Sequence, residues 1–174
     1  MQLIEFLVRI AFELYLMVMI LRVWLQVSRA DFYNPLSQFV VKATNPIVTP
    51  LRSVIPTVGR WDLAALTLAY VISVSKFLAL FAMLGYASNV PDLLRFGLLG
   101  LAQQFFDLLF WVLIIRAIMS WFVQGYNPMV GLLVQLTEPI LAPVRRIIPP
   151  LGGLDLSVLI VLIAIQAVRV VLGV

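Results

Sequence analysis

Glu13, Lys76, Asp107 and Arg169 each fall well inside a long apolar run of the chain. An ionised side chain at the centre of a bilayer costs at least ~2.5–3.5 kcal/mol, so such residues need a reason to be there. Two acids and two bases can neutralise one another across helices, or they can line a path for an ion or a proton. Depth helps to decide who can meet whom. Measured from the ends of the runs that flank the proline-rich loops, Glu13 and Lys76 lie about 21 and about 20 Å deep at 1.5 Å per residue. The same measure puts Asp107 and Arg169 about 22 and about 20 Å deep. The matched depths predict two ion pairs, Glu13–Lys76 and Asp107–Arg169, although depth alone equally allows the swapped pairing. Glu13 and Arg22 share one run, nine residues apart, and so point to opposite sides of it.

Four apolar runs must position these residues: Leu3–Val27, Leu63–Tyr86, Phe96–Phe122 and Leu156–Leu172. Each approaches or exceeds the roughly 20 residues that cross a bilayer as a helix. Of the 174 residues 63% are hydrophobic and only 11% charged, with a mean hydropathy of +1.10. Soluble domains carry about 25% charged residues, so water is the wrong surrounding for most of this surface. Glu5, Arg9 and Glu13 interrupt the first run, which therefore reads as a span and not as a cleaved signal peptide. Arg22, near its far end, is placed to snorkel towards headgroups.

The chain contains neither cysteine nor histidine. Zinc sites, histidine-ligated haem, disulfides and nucleophilic catalysis through either residue are excluded by inventory. No serine- or carboxylate-based catalytic constellation stands out, so no enzyme, cofactor or metal is expected. The net charge of +4 is spread along the chain, which argues against a nucleic-acid partner.

Between the runs lies a stretch that occurs twice. At a constant offset of 93, YNPLSQFVVKATNPIVTPLRSVIPTVGRWD matches YNPMVGLLVQLTEPILAPVRRIIPPLGGLD. The first copy carries Tyr33, Asn34, Pro35, Pro46, Pro50, Pro56, Gly59 and Asp62, and the second Tyr126, Asn127, Pro128, Pro139, Pro143, Pro149, Gly152 and Asp155. Identity at a fixed period signals a duplicated unit. We divide the chain into a first repeat over 1–86, a short connection over 87–95 and a second repeat over 96–174.

The prolines predict two short helices per copy, since each removes a backbone donor. Pro46 and Pro139 suit a first turn, with Thr44/Asn45 and Thr137/Glu138 as caps. Asp62 and Asp155 suit the caps of the helices that follow. Apolar stripes such as Ile47, Leu51, Val54 and Ile55, with Arg52 off the stripe, describe a helix in the interface plane. A re-entrant hairpin is the rival, tolerated only if buried in protein or facing water. Lys42, Arg52, Arg145 and Arg146 are the interfacial basic residues expected to meet anionic lipid at the cytoplasmic face.

Lysine and arginine concentrate in the two repeat loops, which the positive-inside rule places in the cytoplasm with both termini periplasmic. Trp24, Trp61 and Trp121 read as anchors at that boundary. The expected fold is all-α: a polytopic transmembrane protein of four spans in two parallel helix–interfacial segment–helix repeats.

The two proline-spaced segments resemble the YggT (YlmG-like) family of bacterial and plastid membrane proteins, in its two-copy proteobacterial form, over essentially the whole chain. The resemblance implies an integral inner-membrane protein without established catalysis. It also implies roles as diverse as osmotic or ionic stress tolerance, cell division and assembly of membrane complexes. The expected function is a membrane scaffold or assembly factor acting on anionic lipid and on a protein partner or further copies of itself. The alternative is a small oligomeric ion channel or transporter using the four midplane charges.

Overall fold

A computed structural model describes residues 2–87, 89–123, 125, 127–148 and 156–173. Its described residues form six helices: α1 (Gln2–Val27), α2 (Pro35–Arg52), α3 (Leu63–Leu84), α4 (Val90–Phe122), α5 (Pro128–Ile147) and α6 (Leu156–Leu172). No strand occurs among them, and the one β-bridge, Val58 to Trp61, closes a turn around Gly59 at φ 60°. Two helices, α3 and α4, are long and apolar enough to cross a membrane. Helix α6 is equally apolar but 17 residues long, and α1 is longer but carries Glu5, Arg9, Glu13 and Arg22.

Each proline-spaced stretch makes one long helix, not two short ones. Helix α2 runs unbroken through Pro46 and Pro50, and α5 through Pro139 and Pro143. A proline deprives the carbonyl four residues back of its donor. Here the prolines are four apart and all exposed, and the orphaned carbonyls of Lys42 and Gln135 belong to exposed residues as well. Surrounding water or headgroups can bond those carbonyls, so the helix survives. The caps move accordingly. Asn34 and Asn127 cap α2 and α5, accepting from the amides of Leu36 and Met129 at 2.9 and 2.8 Å, with Pro35 and Pro128 opening the helices. Thr44 and Thr137, expected at caps, lie in mid-helix.

Helix α4 starts at Val90, so residues 90–95, read from sequence as connection, are helical. The core gathers Leu16, Met19, Ile20 and Val23 of α1 against Ala64, Ala65 and Ala69 of α3 and Leu109, Val112 and Leu113 of α4. Small residues set the tightest crossing. A Cβ at Gly97 would strike Val74, one at Gly100 would strike Phe77, and Ser73 donates to the Gly97 carbonyl at 2.7 Å. Close approach of this kind lets a hydroxyl bond a neighbouring backbone. Many large apolar side chains, among them Leu3, Phe6, Val71, Leu78, Trp111 and Ile163, remain exposed. Patches on that scale mark an apolar surrounding or a partner.

Trp24 departs from its expected role as a boundary anchor. It is buried, and its indole N–H donates to the Leu136 carbonyl of α5 at 3.1 Å.

Candidate functional site

Lys76 Nζ lies 3.5 Å from Glu13 Oε1, joining α3 to α1, and Arg169 Nη1 lies 2.9 Å from Asp107 Oδ1, joining α6 to α4. The pairing is within each half of the chain, not swapped between halves. Lys76 is buried and sits 5.0 Å from the Phe77 ring centroid, which adds a cation–π contact. The carboxylates are the more accessible partners, Glu13 at 40% and Asp107 at 36% exposed side chain. Both open on a cleft of about 750 Å³ between α1 and α4 that also takes in Lys76, Gln103 and Gln104.

A second constellation appears twice. In the first half, Arg22 of α1 donates to the Thr44 hydroxyl and, at 2.8 Å, to Asn45 Oδ1 of α2. In the second, Arg116 of α4 donates to the Thr137 hydroxyl and, at 3.2 Å, to Glu138 of α5. Each threonine in turn donates to the carbonyl four residues earlier, Val40 or Leu133, at 2.6 Å. A hydroxyl has one proton and two lone pairs, so each threonine bonds its own helix and still accepts from the arginine. Arg22 is therefore no snorkel: it is 4% exposed and spent on α2.

Arg52 reaches the fully buried Asp62, which caps α3 by accepting from Ala65 N at 3.1 Å. Arg22 Nε adds a carboxylate contact at 3.7 Å. Burial pushes the Asp62 carboxyl up, but the Arg52 and Ala65 hydrogen bonds and both arginine charges outweigh it and hold it below the usual carboxylate range. Arg145 pairs with Glu138 at 2.7 Å.

Of the four basic residues assigned to lipid, Arg52 and Arg145 thus turn to acids of the protein, while Lys42 and Arg146 are exposed. Tyr33 and Pro56 are also exposed. Tyr126, Pro149, Gly152 and Asp155 lie outside the described residues. Sequence reasoning missed the arginine–threonine contacts, although Arg22 and Arg116, matched at an offset of 94 along α1 and α4, and Thr44 and Thr137, matched at 93, were visible as pairs in the duplication.

These features define a helical protein with two membrane-length apolar helices and equivalent charged contacts in its two halves. The CCB3/YggT family model matches residues 1–83 and again 96–174, and the chain belongs to that family. A Vibrio alginolyticus protein described as uncharacterized, from the proC 3′ region, is 54% identical over 171 residues, covering 97% of this chain and 92% of that protein. The YggT protein of Escherichia coli (strain K12), also described as uncharacterized, is 44% identical over 166 residues, covering 95% and 87%. The chloroplastic YlmG homolog protein 2 of Arabidopsis thaliana shares 38% over 56 residues, covering 32% of this chain and 22% of that one. No solved structure matches the chain.

Proposed function

We propose that the protein is a non-enzymatic integral membrane scaffold of the inner membrane. Helices α1, α3, α4 and α6 span in two parallel repeats, with both termini periplasmic. Helices α2 and α5 lie in the cytoplasmic interface and present a surface to anionic lipid or to a protein partner.

The observation that carries this reading is the division of α2 into three faces. Ser37, Val40, Thr44 and Val48 are buried against the bundle. Phe39, Ala43 and Ile47 form an exposed apolar strip, and Gln38, Lys42 and Thr49 an exposed polar one. Successive residues turn by about 100°, so these three sets point in three directions around the axis. A helix packed on protein, dipping one side into acyl chains and showing another to water needs that arrangement. Support for the repeat comes from the matched contacts: Arg22–Thr44 with Arg116–Thr137, and Glu13–Lys76 with Asp107–Arg169. Support for their common sense comes from Asn34 Nδ2, which donates to the Pro128 carbonyl at 2.9 Å and so joins the starts of α2 and α5.

The chain has no cysteine, so single reporters are clean. In membrane vesicles, a cysteine at Lys42 reacts with an impermeant maleimide only from the cytoplasmic side, while one at Phe39 carries a fluorophore quenched by lipid-borne nitroxide. Labelling of both from the periplasmic side, or no quenching at Phe39, would defeat the placement.

A second reading is favoured by the cleft holding Glu13, Lys76, Gln103, Gln104 and Asp107: an ion or proton path completed by several copies, because four helices leave little room for a lumen. Wild-type proteoliposomes without flux would dispose of it, and flux that persists in a Lys76→Met, Arg169→Met protein would free those two charges of any part in the path.

A further inference from the structure

Glu138 has no acidic counterpart in the first copy. At the offset of 93 its place is taken by Asn45. In the second copy the Glu138 carboxylate is gripped by Arg116 at 3.2 Å and Arg145 at 2.7 Å. In the first copy the equivalent arginines, Arg22 and Arg52, border a cavity of about 320 Å³ whose wall also includes Gln26, Asn45 and Thr57. The second half therefore sets the carboxylate of Glu138 between two guanidinium groups. The first half turns both of its guanidinium groups towards the cap residue Asp62 and keeps a cavity beside Asn45, where Glu138 would stand.

The donors in that hole are set for an acceptor. Arg22 is 96% buried by its 4% exposure, and its Nε makes no hydrogen bond; its nearest carboxylate, Asp62, is 3.7 Å away. Asn45 Oδ1 accepts from Arg22, and Gln26 Oε1 accepts from Arg52 at 3.3 Å. With both amide oxygens engaged by arginines, both amide nitrogens are left to donate. Asp62 is a single negative charge facing Arg22 and Arg52, which leaves one positive charge over in the cluster. Arg52 already spends Nε and Nη2 on Asp62, and Arg22 spends Nη1 on Thr44 and Asn45. The guanidinium N–H groups that remain, together with two carboxamide donors around an uncompensated charge, suit a tetrahedral oxyanion with several acceptor oxygens.

We infer that the cavity between Arg22, Arg52, Asn45 and Gln26 binds a phosphate group, seated where the second copy carries the carboxylate of Glu138. The group is either free inorganic phosphate or the phosphodiester of a lipid headgroup. The inference stands on the asymmetry of the two copies and does not rest on the scaffold reading.

The test uses the full chain and the variant Asn45→Glu, which gives the first copy the built-in anion of the second. Inorganic phosphate is titrated into detergent-purified protein against sodium chloride of equal ionic strength, and the thermal midpoint is followed. In parallel, protein in nanodiscs of phosphatidylcholine with or without phosphatidylglycerol is released into native mass spectrometry and scored for retained lipid. The wild type gives a saturable rise with phosphate, or preferential retention of phosphatidylglycerol. Asn45→Glu weakens whichever occurs by about tenfold or more while its own ligand-free midpoint equals or exceeds that of the wild type. A response to phosphate alone identifies the free anion, and retention of phosphatidylglycerol alone identifies the headgroup. Should Asn45→Glu not fold, Asn45→Asp serves the same comparison. A wild type that responds to neither probe overturns the proposal by itself, as does an equal response in the carboxylate variant.

Discussion

Arg22 and Thr44 stand in the same relation as Arg116 and Thr137: in each half an arginine from a long helix donates to a threonine hydroxyl in the middle of the proline-spaced helix beside it. The contact pins α2 to α1 and α5 to α4 through a buried side chain rather than through a loop. Thr44→Val keeps the shape and removes the acceptor, leaving a buried guanidinium short of a partner. The expected cost is about 1–3 kcal/mol, read as a lower thermal midpoint. Thr44→Ser retains the hydroxyl and recovers most of it. Equal loss in the valine and serine variants would mean that keeping the hydroxyl rescues nothing, and would remove the arginine contact as the cause.

The Glu13–Lys76 pair gives a second expectation. Lys76 is buried while Glu13 is 40% exposed, so loss of the acid strands the buried base. Breaking a fully buried pair costs about 3–5 kcal/mol, and the accessible carboxylate lowers the figure here to about 1–3. Glu13→Gln destabilises, and the exchanged pair Glu13→Lys, Lys76→Glu regains part of the loss. An exchanged protein no more stable than the worse single variant would mean that the two side chains do not couple.

Asp62 carries a pH dependence whose direction follows from its environment. Its folded-state pKa is lowered by Arg52, Ala65 N and Arg22 against an opposing desolvation, so it contributes stability above the unfolded carboxylate pKa of about 3.9. That contribution fades as pH falls through the lower folded value. Thermal midpoints measured from pH 6 downward drop in the wild type below about pH 4, and Asp62→Asn flattens that limb while lowering the plateau. Parallel curves for the two proteins would remove Asp62 as the cause.

The crossing of α3 and α4 has no room to spare. Gly97→Leu drives a side chain into Val74 and parts the Ser73 hydroxyl from the Gly97 carbonyl. Overpacking of this kind costs about 1–3 kcal/mol or more. Gly131→Ala, at a helical glycine with open space around it, leaves the midpoint within about 0.5 kcal/mol of wild type or raises it. Similar losses at both sites would point to general glycine sensitivity instead of a close helix contact.

Helical class and the pairing of Glu13 with Lys76 and of Asp107 with Arg169 were readable because the chain itself states them: apolar runs give length, and rise per residue sets which positions of neighbouring helices lie level. What misled was local chemistry read without its surroundings. Pro46 and Pro50 look like breaks until one knows that they, and the residues whose carbonyls they orphan, are exposed. Arg22 and Trp24 look like boundary residues until α2 and α5 are folded across them. The Arg–Thr contacts were hidden for a different reason, since nothing in a linear sequence says that two matched positions from separate helices touch.

Trp24 also says something about the duplication. Its indole reaches from the first half to the Leu136 carbonyl of the second. The position matching Trp24 along α4 is Ile118, which has no side-chain N–H to return the gesture. The two copies have ceased to be interchangeable: whatever residue stands in the place of Leu136 offers a main-chain carbonyl, but only the first copy offers the indole that reaches for it. What began as a repeated half has become a left and a right hand.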